Sequence, residues 1–451
     1  MRGIIQYLNR EGYTVPDAGF YSNIRLWLKW YKGKTGFHSY QVYNGTKHIT
    51  KSRKTLGMAK RIPEDWANLL LNEKVEIVID GEAQQAAIDE VLKANNFRVR
   101  GNQLVELAFA LGTGAFVEML DKDGNVDIDY VRASMIFPLE YKNGEITECA
   151  FASEHKEGSQ TYVYLNIHTR NEQGNYVIRN AYFVKQGDNI TETQLPDDVA
   201  EEISTGSPVP LFQIIKPNIV NNVDLDNPMG ISVYANAIDQ LEGVDLAYDS
   251  YCNEFRLGKK RIVIPVKMAR VQMDESGATK PIFDYDDTEF YAVTGADESM
   301  GIKEINMDIR AADHETGIKT MLNVLSKSCG LGDDYYDYQS SGVKTAKEVV
   351  SEKSDLFQNI KKHELVLESA VHGLVMAIAS LKGIAIDPAK VSISFDDSII
   401  EDTGAEKERF LQEIRDGVRQ KWEYRAKFFG ETEEEAKANV QTEQSAAWFE
   451  E

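Results

Sequence analysis

The sequence predicts an α+β fold, with a first region to about residue 228 that mixes helices and strands, and then long helices around a compact strand-rich insert. Three observations predict it. Residues 148–186, "ECAFASEHKEGSQTYVYLNIHTRNEQGNYVIRNAYFV", alternate with a period near two and carry a turn about every ten residues, the pattern of an antiparallel meander. In residues 226–260, Ile231, Tyr234, Ile238, Leu241, Val244, Tyr248, Tyr251 and Phe255 recur at threes and fours, which predicts one helix of roughly seven turns. Residues 340–383 contain no proline and carry an amphipathic pattern. A helix over 344–382 would span about 55–60 Å, with Gly373 its expected bend.

The elements between these follow in order. "YSNIRLWLKWYKG" (21–33) places Ile24, Trp27, Leu28 and Tyr31 on one helical face. "IPEDWANLLLN" (62–72) predicts a helix starting at Pro63, with Glu64 and Asp65 in its first turn where the helix dipole favours acids. "NQLVELAFALGTGAFVEML" reads as a helix closing at Gly112 and then a strand, and Asp123-Gly124 as a hairpin turn. A strand-rich insert runs from "RIVIPV" to about Asn306, and a helix covers 314–328. Before the proline-free stretch lies "GLGDDYYDYQSSG", an aromatic and acidic loop. The tail offers one strand, 390–397, and charged helices at 404–417 and 431–446.

At 451 residues the chain is long enough for several structural regions and a large core. The apolar run "GLVMAIASL" (373–381) is too short for a membrane span and reads as a buried helix segment, so no membrane partner is expected. "MRGIIQYLNREGY" lacks the apolar region of an export signal. Cys149, Cys252 and Cys329 are far apart, which argues for a reducing compartment and against a disulfide framework or zinc site. The net charge is −22, but residues 1–62 hold twelve Lys and Arg against Glu11 and Asp17, a local +10, and the rest carries −32. A basic arm on an acidic body predicts two surfaces with different partners, or simply a solvated basic face.

Catalytic motifs fail on inspection. "YKGKTG" lacks the first glycine of a phosphate loop, Leu28 standing in its place. "ALGTGAF" lacks the third glycine and the acid of a dinucleotide fold. "DKDGNVDID" has its glycine two places early for a calcium loop and no closing glutamate. In "HELVLESAVH" the second histidine of a zinc-protease pattern is Leu367, and His363 and His372 are out of helical phase. No G-x-S-x-G elbow is present. Neither catalytic residues, nor a metal, nor a cofactor is expected.

The order of parts, a long helix, a small β insert, a second helix, a Gly-rich loop and a very long helix, resembles the portal proteins of tailed bacteriophages, in particular the siphophage family of Gram-positive hosts. The resemblance covers nearly the whole chain. Its carriers are "TLGMAKRIPEDWANLLLNEKVEI" (55–77), "LVELAFALGTGAF" (104–116), "VLSKSCGLGDDYYDYQSSGVKTAKEVVSEKSDLF" (324–357) and the tail from "DSIIEDTGAEKERF" onward. It implies a portal fold: a wing from 1–228, stem helices at 229–258 and 310–328, a clip at 259–309, a tunnel loop at 329–343, a long bent wing helix at 344–382 and a crown at 383–451. It also implies a non-enzymatic ring homo-oligomer, usually of twelve subunits, at one capsid vertex of the virion. The ring would be assembled in the host cytoplasm and would pass double-stranded DNA during packaging and ejection. Implied partners are the major capsid protein, scaffolding protein, the terminase large subunit and a head-tail adaptor protein. Two rivals are another phage head component, such as a minor capsid or adaptor protein, and a metal-dependent nucleic-acid enzyme using the acidic loops.

Under that resemblance the residues acquire expected roles. Asp239, Glu242, Asp245 and Asp249, spaced by threes and fours, would line the channel together with Lys259 and Lys260. An acidic lining repels phosphate and suits a conduit. Asp333, Asp334, Tyr335, Tyr336, Asp337, Tyr338, Gln339 and Ser340 would face DNA at the narrowest point, or the tyrosines would pack against neighbouring loops and seal the ring. Gln272, Asp274, Glu275, Ser276 and Lys280 in the clip hairpin would dock terminase and head-completion proteins. Arg25, Lys29, Lys32, Lys34, Lys51, Arg53, Lys54, Lys60 and Arg61 form a basic wing surface open to DNA, the capsid's inner face or the acidic body of the next subunit.

Overall fold

The computed structural model describes residues 2–16, 19–43, 45–187, 189–197, 199–265, 272–273, 279–280, 290–293, 303–336, 354–395, 403–429 and 431–446. Helices α1 (Arg2–Arg10) and α2 (Phe20–Tyr31) open the chain, followed by the hairpin β1 (Ser39–Tyr43) and β2 (His48–Ser52). Helix α3 (Met58–Leu70), strand β3 (Glu76–Ile79) and helices α4 (Glu82–Ala94) and α5 (Phe97–Leu111) come next. Helix α3 differs from expectation at its start: it begins at Met58, so Pro63 lies inside it. The lost hydrogen bond is tolerated because Met58, Ala59, Ile62, Trp66, Ala67 and Leu70 are all buried, and packing outweighs local propensity.

Helix α5 stops at Gly112, whose φ is +91°, and β4 (Gly114–Leu120) forms a hairpin with β5 (Val126–Arg132) around Gly124. The meander expected from the alternation is present as β6 (Ile136–Lys142), β7 (Glu145–Glu157), β8 (Gln160–Arg170), β9 (Tyr176–Gln186) and β10 (Asn189–Thr193), antiparallel throughout. Strand β11 (Glu202–Ser204) pairs with β9, and β12 (Phe212–Ile215) joins β4 to make a second sheet of three strands.

The next helix is shorter than its apolar spacing predicts. Helix α6 runs Ile238–Leu257, and residues 226–237 are turns rather than helix. Met229, Ile231, Val233 and Tyr234 are buried all the same, because this backbone docks on the end of α5. Val233 N–H donates to Phe109 O at 3.0 Å and Gly230 N–H to Thr113 Oγ1 at 3.1 Å. Gly112 and Gly230 meet so closely that a Cβ on either would collide with the other's carbonyl oxygen. That approach, beyond a simple helix stop, is what these glycines permit.

The insert after α6 holds β13 (Arg261–Pro265), β14 (Gln272–Met273), β15 (Thr279–Lys280), β16 (Phe290–Val293) and β17 (Lys303–Ile305). Strand β13 pairs parallel with β16 and antiparallel with β17, and β14 pairs with β15. Helix α7 (Ala311–Ser328) returns along α6. Helix α8 (Ser354–Lys382) is helical through Gly373, and residues 344–353 of the expected helix lie outside the described residues. Gly373 makes room for the Gln213 side chain of β12. By length and composition α8 is apolar enough to cross a membrane, yet Leu367, Val371, Leu374, Val375 and Ile378 are spent on the core against β12 and β4.

Strand β18 (Val391–Ser394) pairs antiparallel with β3, tying the chain after α8 back to its first third. The tail contains α9 (Thr403–Arg415), α10 (Lys421–Phe429) and α11 (Glu433–Ala446). Helix α10 was not expected. Its Tyr424 and Phe428 pack on the buried Phe410 of α9, a contact between helices that no periodicity within one segment announces.

Candidate functional site

The expected acidic stripe on α6 divides in two. Asp239 is exposed and Glu242 half-buried, but Asp245 and Asp249 are 4% and 7% exposed and cannot line a channel from where they stand. Asp245 Oδ2 lies 2.7 Å from His38 Nε2, while Asp245 Oδ1 accepts from the Thr55 hydroxyl at 3.1 Å and Leu56 N–H at 2.8 Å. In a neutral ring the proton sits on Nε2, facing the carboxylate, and Nδ1 accepts from Thr35 Oγ1 at 3.0 Å. Asp249 accepts from Lys54 N–H at 2.9 Å and from Asn253 Nδ2 at 3.0 Å. The two aspartates fasten the segment 35–56 to α6, and His38, which sequence reasoning did not single out, is their partner. A lone histidine after an aromatic carries no motif that would have revealed it.

The aromatic loop divides likewise. Tyr336 is 5% exposed; its hydroxyl donates to Asp65 Oδ2 of α3 at 2.9 Å and its ring meets Tyr335 edge-on. The expectation that Tyr336 faces DNA is therefore corrected: burial of its ring against α3 takes it out of any lumen. Burial, with Asp65 alongside, pushes its hydroxyl pKa far up, so it stays a donor. Burial also raises Asp65, although Tyr336 and Arg61 both favour its charged form. Trp66 Nε1–H donates to Cys329 O at 3.2 Å, Asn359 Nδ2–H to Gly330 O at 3.0 Å and Ser326 Oγ–H to Gly332 O at 2.6 Å. Asp333 pairs with Lys327 at 3.2 Å, and Asp334, at φ +58°, exchanges hydrogen bonds with Asn323. Both aspartates remain exposed and Tyr335 half-buried. Asp337, Tyr338, Gln339 and Ser340 lie outside the described residues.

Helices α6 and α7 are clasped near the insert. Arg310 reaches Glu254 with Nε and Nη2, each at 2.9 Å, and His314 lies 3.5 Å from the same carboxylate, which holds Glu254 down to about 2. Lys260 bridges to Glu304 at 2.8 Å, and Lys259 is exposed beside it. Leu246, Phe255, Leu257, Met321 and Val324 are large apolar side chains of the same two helices that stand about half exposed. In the clip, Gln272 and Lys280 are partners across the β14–β15 ladder, and Asp274, Glu275 and Ser276 lie outside the described residues.

The basic residues of the first third differ in their surroundings. Lys60 pairs with Glu106 at 2.6 Å and Glu64 at 3.4 Å, and Arg61 with Asp65 at 2.9 Å. Arg53 lies over the Phe37 and Tyr40 rings, 4.4 and 4.5 Å from their centroids, and donates to Phe37 O. Lys51 is half-buried, and Arg25, Lys29, Lys32, Lys34 and Lys54 are exposed. Among the described residues no three His, Cys, Asp or Glu side chains come together as metal ligands.

Residues 17–448 match the family model described as "Phage portal protein, SPP1 Gp6-like". No curated protein matches the chain.

Proposed function

The chain belongs to the SPP1 Gp6-like phage portal protein family, a structural family of the tailed-phage virion rather than an enzyme family, and from this premise we propose that its copies form the ring through which double-stranded DNA is packaged and later ejected. The observation that carries the reading, beyond membership, is the half-exposed apolar set on α6 and α7. A paired-helix arm with Leu246, Phe255, Leu257, Met321 and Val324 in water calls for a neighbour, and successive copies around a ring supply one.

In this reading α6 and α7 are the stem, residues 259–309 the clip that docks terminase and the head-tail adaptor, and residues 329–343 the tunnel loop. Residues 1–228 with 344–382 form the wing that meets the capsid and scaffolding proteins, and 383–451 the crown. Asp239, Glu242, Asp333 and Asp334 are the acids left on exposed or half-exposed positions to repel phosphate from the lumen. Because every copy carries −22, subunit association rests on apolar burial, and salt strengthens it.

Electron microscopy of the purified protein, alone and with capsid and scaffolding proteins, tests the reading. Rings with a central hole of duplex width are the expected result and would give the subunit number. Persistent monomers in the presence of those partners, or rings that dissolve as salt is raised, would refute it.

A further inference from the structure

Where α1, α2 and the first large sheet meet there is a cleft of about 450 Å³ whose charge is opposite to that of the chain as a whole. Arg2 of α1, Arg25 of α2, Arg132 at the end of β5 and Lys185 of β9 line it. The one carboxylate among the lining residues, Glu154, is already engaged by Lys185 at 2.6 Å. Arg132 spends its Nε–H on Ser134 Oγ at 3.0 Å. The side chains of Arg2 and Arg25 make no hydrogen bond or ion pair among the described residues. The lining also includes apolar side chains, the part-exposed Leu28 and Met135 over the fully buried Ile24.

We propose that this cleft is a docking site for an acidic segment of another protein, one that brings carboxylates to the arginines and an aliphatic or aromatic side chain to the floor. Its four cations come from four elements spread over residues 2–185, so they are gathered by the fold and not by a basic run. In a chain of net −22, three arginines beside a Lys185–Glu154 pair that cancels itself make a local positive site that selects anions by long-range attraction. The concave form favours a peptide over duplex DNA. A duplex presents its phosphates on a convex cylinder and would leave Leu28 and Met135 uncovered, whereas a peptide side chain can enter and cover them. The volume suits a few side chains. This proposal stands apart from the ring and its channel, since none of its residues lies on the stem, clip or tunnel loop.

The test uses the intact protein and fluorescence polarisation with three labelled probes: a glutamate-rich peptide containing phenylalanine, a polyglutamate without it, and duplex DNA. The phenylalanine peptide should bind most tightly. Arg25→Glu combined with Arg132→Glu should weaken it about tenfold or more, as like charge replaces opposite charge. Leu28→Asn should erase its advantage over polyglutamate. Arg25→Gln, milder, should give a smaller loss in the same direction and guards against misfolding of the charge-reversed protein. The proposal fails if the reversed charges leave peptide binding unchanged, or if both peptides bind alike. It also fails if duplex DNA binds better and is lost with the same variants, which would make the cleft a nucleic-acid site. A change in oligomeric state with peptide binding intact would instead assign the cleft to a second copy of this chain.

Discussion

His38 Nε2 lies 2.7 Å from Asp245 Oδ2, across 207 residues of sequence, in a site where both side chains are almost wholly removed from water. Asp245 also receives the Thr55 hydroxyl and the Leu56 N–H, so it holds both ends of the segment that carries the β1–β2 hairpin. Removing it leaves the His38 ring N–H unpaired in a dry site and takes the acceptor from Thr55 and Leu56, which are nearer to water. Asp245→Ala should cost about 2–3 kcal/mol in urea unfolding. His38→Ala made in the Asp245→Ala background should cost far less than in the wild type, because the partners are coupled. Equal costs in both backgrounds would show that the contact carries no coupling.

Three buried groups set a pH dependence whose two arms have opposite sign. Burial pushes Glu118 up to about 8, above the 4.5 it has when exposed; Gln213 nearby favours the charged form, but no hydrogen bond reaches either carboxylate oxygen. The folded chain therefore holds a proton that the unfolded chain gives up, and stability falls as pH rises from about 4.5 to 8. His168 and His363 are held down to about 3 by burial, so their contribution is full above 6.5 and is lost as pH falls from there towards 3. Two protons outweigh one, so from these groups stability peaks near pH 6.5 and levels off above 8. Unfolding measured across that range should show the decline from 6.5 to 8 disappear in Glu118→Gln. His168→Leu should remove more than half of the loss on the acid side, because between 4.5 and 6.5 Glu118 then offsets the one histidine that remains.

Gly112→Ala should be among the most damaging single changes in the chain. Its φ of +91° strains any side chain, and the new methyl would strike Gly230's carbonyl oxygen, a backbone atom that cannot swing aside. A loss of at least about 2 kcal/mol is expected. Gly124→Ala, also at positive φ but with open space around it, should cost less. Comparable unfolding midpoints for the two variants would contradict the account.

Tyr336→Phe removes the hydroxyl that donates to Asp65 and leaves that carboxylate to Arg61. The expected cost is about 1 kcal/mol, with ring formation and DNA retention unchanged. Tyr336→Ser also empties the ring's buried place, so its cost should be several times larger. DNA retention lost in Tyr336→Phe at unchanged stability would restore a lumen-facing role.

The sequence by itself determined what repeats at short range. Alternation marked the meander of β7, β8 and β9, Asp123-Gly124 marked the β4–β5 turn and Gly112 the end of α5; each depends only on neighbours within a few residues. The order of the parts along nearly the whole chain was legible for the same reason, and it pointed to the portal family. The threes and fours from Ile231 onward misled, because burial of 229–237 on α5 produces the same apolar count as a helix face. Only the tertiary structure decided which charges meet. A carboxylate on α6 looks the same in sequence whether it faces water, as Asp239 does, or is held by His38 and Thr55, as Asp245 is. That choice depends on which distant segment packs over the helix. The same holds for Tyr336, turned inward by an aspartate 271 residues earlier, and for the arginine-lined cleft, whose four cations come from four separate elements.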